Sequence, residues 1–288
     1  MTTLALALVL IAAGLHATWN LCSKKSGGGL PFVNLVGWVN LALYVPFVAG
    51  YWLWRHPSLP GFALVWIAGS GVLKAGYALF LQRSYRVGDF SLVYPLARGT
   101  GPLLASAAAI AFMGERPGLL AVAGGLLIIG SIFFLADGLS IFRVRDGAQS
   151  RGVRYGLISG VFIAAYTLWD RHGVANLSIP PLLYDCGTTV TGVILLTPSA
   201  ARRMPEVKRH WREHRLYVFA VAGLSSISYI LVLTALSFTP VSYVAPAREI
   251  SIVIGAFIGA KYLREAGARR RFWAAGAIVI GIVALAVG

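Results

Sequence analysis

An all-α integral membrane protein, with ten transmembrane helices in two inverted five-helix repeats around a central cavity, is the fold class this sequence predicts. Three observations predict it. Apolar runs of about 20 residues, the length that crosses a bilayer, alternate with short gaps. Basic charge is distributed one-sidedly over those gaps. An internal repeat runs at an offset of 150 residues.

Of 288 residues, 58% are hydrophobic and 12% charged, and the mean hydropathy is +0.75. A soluble domain carries about twice that charged fraction. A net charge of +15 would point to nucleic acid in a soluble chain. Here the basic residues sit in the gaps between apolar runs, so the charge reads as an orientation signal and excludes a nucleic-acid partner. Cys22 and Cys186 both lie inside apolar runs and imply neither a disulfide framework nor a metal site. The first run, Leu4–Cys22, has no basic residue before its apolar core, which favours a mature helix over a signal peptide.

Hydropathy places spans at roughly 3–22, 31–54, 61–81, 91–113, 118–136, 153–170, 180–198, 216–237, 241–260 and 272–287. Gly27-Gly28-Gly29, His56-Pro57, Arg116-Pro117, Pro180-Pro181 and Thr239-Pro240 punctuate them. The odd gaps carry two, two, four, six and five Lys or Arg, 19 of the chain's 25. The even gaps hold only Arg55, Arg116 and Arg171, and Lys74, Arg98 and Arg248 fall inside spans. Such a bias predicts odd gaps in the cytoplasm and both termini in the periplasm of a bacterial inner-membrane protein. The longest charged gap, Ser199–His214, predicts a surface-lying segment.

One offset of 150 residues pairs Trp19 with Trp169, Asn20 with Asp170, Ala97-Arg98 with Ala247-Arg248, and Glu115 with Glu265. It also pairs Ala105 with Gly255 and Ala109 with Gly259; later the offset slips to 151, matching Gly125 with Gly276 and Gly130 with Gly281. Two copies of five spans must enter the membrane in opposite senses. The expected units are a first repeat over 1–137, a cytoplasmic linker over 138–152 and a second, inverted repeat over 153–288. Inverted repeats predict transport by alternating access, with the site near the midplane between the halves.

The stretch from Ala235 through Thr239-Pro240, Tyr243-Val244-Ala245-Pro246 and on to Leu263-Arg264-Glu265 resembles the ninth-helix pattern of the drug/metabolite transporter superfamily. Asp89–Leu96, running on to Gly114-Glu115, is similar in the first half. The resemblance is to the EamA-type branch and covers essentially the whole chain. It implies ten helices in two inverted repeats and a cavity lined chiefly by helices 1, 3, 4, 6, 8 and 9. Ten-helix members are generally drawn with cytoplasmic termini; the charge count here places the termini outside.

Arg98 and Arg248 are the sharpest candidates for a site. Each charged side chain near the bilayer centre costs about 2.5–3.5 kcal/mol, so something must offset the pair. Arginine suits bidentate capture of a carboxylate or phosphate. Each follows a proline, Pro95 or Pro246, where a helix loses a backbone hydrogen bond. The pair reads as an anion clamp, or as structural ion pairs with a carboxylate such as Glu249 or Asp185, or as side chains reaching an interface. Plastid phosphate translocators of the superfamily hold anions with basic residues on helices 4 and 9, a placement these arginines resemble by helix only.

Lys74 on the third span adds a positive group or neutralises Asp185, and shares a face with Tyr77. Aromatic and polar residues recur on spans expected to face the cavity: His16, Trp19 and Asn20; Tyr94; Tyr166 and Trp169; Tyr229; Tyr243. Interfacial belts explain Trp52, Trp54 and Trp273 equally well. Asp170, Arg171 and His172 read as a solvated helix end, and Glu115 and Glu265 as structural.

No nucleophile–base arrangement, metal cluster or phosphate loop stands out, so no enzyme and no cofactor is expected. The expected function is secondary transport of a small polar metabolite, an amino acid or organic anion. Export of cationic or aromatic compounds with a structural arginine pair is the alternative, as is flipping of a lipid-linked substrate. Expected partners are the small-molecule substrate, the lipid bilayer and a coupling proton or counter-substrate, with the chain a monomer or weak homodimer.

Overall fold

A computed structural model describes residues 1–87, 90–135, 147–252, 254 and 268–288. These residues form ten α-helices: α1 Thr3–Lys25, α2 Leu30–Arg55, α3 Ala63–Val87, α4 Phe90–Phe112, α5 Leu119–Leu135, α6 Gly147–Arg171, α7 Pro181–Ala201, α8 Met204–Phe238, α9 Val241–Arg248 and α10 Ala268–Val287. Most of the expected 138–152 linker, Asp89, Glu265 and the glycines at 255 and 259 lie outside the described residues.

Local chemistry sets the helix ends. Thr2 caps α1 by accepting the Ala5 N–H at 3.2 Å. Gly27, Gly28 and Gly29 all adopt positive φ, a turn that side chains resist, before Pro31 opens α2. Two starts differ from expectation. Helix α6 begins at Gly147, inside the expected linker. Helix α8 begins at Met204, because the basic 204–214 segment is itself helical and joins the apolar span through a kink at His214.

Four helices, α1, α2, α3 over Ala63–Ser84, and α8, are long and apolar enough to cross a membrane. Leu96–Phe112, Leu119–Phe134 and Gly276–Val287 are shorter apolar stretches. The surface carries large apolar side chains such as Phe47, Trp54, Leu64, Phe112 and Leu119, while Arg98, Asp170, Asp185, Arg248 and Glu249 are buried. Apolar outside and charged inside is the pattern of a chain solvated by lipid tails. The chain is a multi-pass helical membrane protein.

Helix α1 packs on α8 as α6 packs on α3, and α1 meets α9 as α6 meets α4. Helices α2 and α8 pair as α7 and α3 do. Where α5 crosses α10, a Cβ on Gly281 would stand 2.8 Å from the Gly124 carbonyl oxygen, so only glycine permits that approach.

Candidate functional site

A cavity of about 320 Å³ opens between the halves, lined by residues of helices α1–α4 and α6–α9. Helices α2 and α7 contribute Asn34, Asn40, Asp185 and Thr188, a larger share than the resemblance implied. The lining reaches Val33 at the start of α2 and Leu196 near the end of α7. The opposite end is filled. There Trp66 lies between Trp169 at 4.2 Å and His172 at 4.5 Å, and Arg171 donates to the Leu236 carbonyl at 2.6 Å.

Two charged poles occupy the cavity wall. The basic pole starts from the irregular end of α9. Pro246 cannot donate a backbone hydrogen bond, the helix stops at Arg248, and Glu249 takes the C-cap. The Glu249 carboxylate, fully buried, lies 3.2 Å from Arg98 Nε through Oε2 and 3.4 Å from Arg248 Nε through Oε1. Arg98 also meets His16 Nε2 at 2.6 Å. A guanidinium only donates, so His16 accepts through Nε2 and carries its proton on Nδ1. Both arginines are 4% exposed. Among the described residues, both guanidiniums thus meet the same carboxylate. Among the described residues, Arg248 Nη2 is buried with no hydrogen-bond acceptor.

The second pole is acidic. Lys74 Nζ lies 3.3 Å from Asp170 Oδ2 and 4.0 Å from Asp185 Oδ1, and donates to Thr188 Oγ1 at 3.1 Å. Asp170 accepts the Tyr184 hydroxyl at 2.9 Å and the Tyr229 hydroxyl. Asp185 accepts the Tyr44 hydroxyl. Among the described residues, one ammonium for two carboxylates leaves a surplus negative charge. Between the poles stand Tyr77, Tyr166 and Tyr229, in successive edge contacts at 6.0 and 6.5 Å. The Tyr229 ring also takes Lys74 Nζ at 4.2 Å, a cation–π contact.

The structure brings His16, Trp19, Lys74, Tyr77, Arg98 and Arg248 together at the cavity. It places two expected aromatics elsewhere. Trp169 packs behind the wall, donating Nε1 to the Trp66 carbonyl at 2.7 Å over Gly69. Tyr243 turns outward, its hydroxyl reaching the Gly288 carbonyl at 3.3 Å. The Tyr94 side chain lies outside the described residues.

Asp170 requires a correction. Expected at a solvated helix end, it is fully buried, because a π-helical turn over His172–Asn176 carries the chain onward inside the protein. Sequence reasoning also missed Tyr44 and Tyr184, whose separation from their carboxylates leaves no local signal. Glu115 is structural, as read: it accepts the backbone N–H groups of Val241 at 2.7 Å and Ser242 at 2.9 Å. This caps α9 from the end of α4.

Residues 150–287 match the model of the EamA-like transporter family. A crystal structure of another protein superposes with a TM-score of 0.76 over 98% of this chain and 97% of that one, at 17% sequence identity. At that identity the likeness shows a shared fold. No curated protein matches the chain.

Proposed function

We propose that this chain, whose second half matches the EamA-like transporter family, is a membrane transporter of the drug/metabolite superfamily and a secondary transporter of a small amino acid or related carboxylate. Its two five-helix halves, related as inverted repeats, would alternate access around the central cavity. One observation carries the reading: in the cavity wall Arg248, which shares the Glu249 carboxylate with Arg98, keeps a buried Nη2 that has no acceptor among the described residues. That unused donor on Arg248 suits a substrate carboxylate, for which a guanidinium fork provides two parallel donors. The surplus acid at Lys74 favours an amino group on the same molecule, hence an amino acid over a plain organic anion.

The basic gaps support a bacterial inner-membrane location with both termini periplasmic. On that orientation the end lined by Val33 and Leu196 faces the cytoplasm, and the Trp66 stack closes the periplasmic end.

A second reading draws on the acidic pole and the three tyrosines. They suit an exporter of cationic or aromatic compounds, with the arginines as structure alone.

Thermal stabilisation of the purified protein across a metabolite panel separates the two. A ligand at about 100 times its Kd adds roughly 2.7 kcal/mol to apparent stability. Amino acids should raise Tm in the wild type and lose that effect in Arg248→Met. Stabilisation by amines alone, unchanged in Arg248→Met, would overturn the reading.

A further inference from the structure

Among the described residues, the acidic pole holds one more negative charge than Lys74 compensates, and an uncompensated charge inside a membrane costs several kcal/mol. The two carboxylates are not equivalent. Asp170 is fully buried and held by Lys74 at 3.3 Å together with the hydroxyls of Tyr184 and Tyr229. Asp185 lines the cavity, stands at 4.0 Å from Lys74, and has Tyr44 on Oδ2. The surplus therefore falls on Asp185, and Oδ1 is the oxygen that Tyr44 does not occupy.

We infer that Asp185 is a proton-binding site, and that its proton exchanges one for one with the amino group of the transported molecule. The exchange rests on the amino-acid reading above; the proton site does not. Asp185 meets Lys74 from α3 and Tyr44 from α2, with Cys186 beside it on α7, and Lys74 links it to Asp170 on α6, which carries Tyr184 from α7 and Tyr229 from α8. Lys74 is the cation of this set, and Asp170 already holds it. In the empty cavity, hydronium from cavity water gives its proton to Asp185 Oδ1. An O–H bond forms, water departs and no electrons change hands. An arriving ammonium neutralises the same carboxylate, so the proton returns to water. Proton and substrate then exclude one another at Asp185, and a proton gradient across the membrane drives the substrate in the opposite direction.

Infrared difference spectra of the protein in lipid, taken from mildly acidic to mildly alkaline pH, test this directly. A neutral carboxylic acid has a C=O stretch that a carboxylate lacks. The wild type should show that band at acidic pH. Asp185→Asn should lose it, and Asp185→Glu should keep it at a shifted frequency, which makes the assignment even if the asparagine variant does not fold. A saturating mixture of the standard amino acids should erase the band and release one proton per protein, read with a pH dye in weak buffer. A wild type without any pH-dependent acid band overturns the proposal, as does a band that survives in Asp185→Asn or fails to shift in Asp185→Glu. A band that titrates but ignores the amino acids leaves the proton site standing and sinks the amino-acid reading instead.

Discussion

Arg98 on α4 meets Glu249, just past the end of α9, with 3.2 Å between Nε and Oε2. This buried ion pair ties the two halves of the chain together. Because Arg248 shares the same carboxylate, the three residues should not respond alike to substitution. Glu249→Gln removes the carboxylate that both guanidiniums share, and breaking a buried pair in this way costs about 3–5 kcal/mol. Arg248→Met leaves a neutral Arg98–Glu249 pair, so the protein should keep most of its stability while losing binding. Adding Arg248→Met to Glu249→Gln should recover part of the lost Tm. Melting curves of the three variants check this. Equal destabilisation by all three would make the arginines purely structural.

Much of this arrangement was legible in the sequence. A charge inside an apolar run has nowhere to go but the protein interior, so Arg98, Arg248 and Lys74 announced a cavity, and Glu249 and Asp185 were the acids within reach. Asp170 was not legible. It sits where hydropathy falls off beside Arg171 and His172, a pattern indistinguishable from a solvated end. Its partners Tyr184 and Tyr229 arrive from 14 and 59 residues away. Trp169 and Tyr243 failed for another reason. A side chain's face follows from which helices pack on either side, and spacing within one helix does not state that.

Glu115 should act as a latch between the halves. Its carboxylate accepts two N–H groups at the start of α9, and loss of an N-cap costs about 0.5–2 kcal/mol. Glu115→Ala should lower Tm by a corresponding few degrees and loosen that end of the bundle. Glu115→Gln keeps one acceptor and should fall between. Reactivity of a cysteine placed at Ser237, compared across the three backgrounds, reports the loosening. Identical reactivity in all of them would exclude a latch.

His210 gives stability a pH dependence outside the membrane spans. It is buried, with its ring 5.4 Å from Phe32. Burial, and then Arg209 and His214, hold its pKa below the ordinary histidine value. The folded state thus prefers neutral His210. Stability from this group is complete above about pH 6.5, the value in the unfolded chain, and declines as pH falls below it. Tm measured down a pH series should show that decline in the wild type and a flatter course in His210→Gln. An unchanged slope would exclude His210 as the source.

The packing pattern makes the last prediction. Exchanging α1 with α6, α2 with α7, α3 with α8, α4 with α9 and α5 with α10 carries the most extensive helix contacts onto observed ones or onto themselves. The α1–α8 contact becomes α6–α3, α2–α8 becomes α7–α3, α4–α6 becomes α9–α1, and α2–α7 and α5–α10 map onto themselves. A two-fold relation between the halves produces such a pattern. With five helices per half, its axis must lie in the membrane plane, and equivalent residues of the two halves must meet opposite sides of the bilayer. Cysteines replacing Lys25 and Arg209, at the basic ends of α1 and α8, should therefore resist a membrane-impermeant maleimide in intact cells. Cysteines replacing Arg55 and Arg116 should react. An experimental structure should superpose α1–α4 on α6–α9 by rotation about an in-plane axis. Rotation about the membrane normal would refute the inverted repeat even if the labelling pattern held, whereas reversed labelling would refute only the orientation.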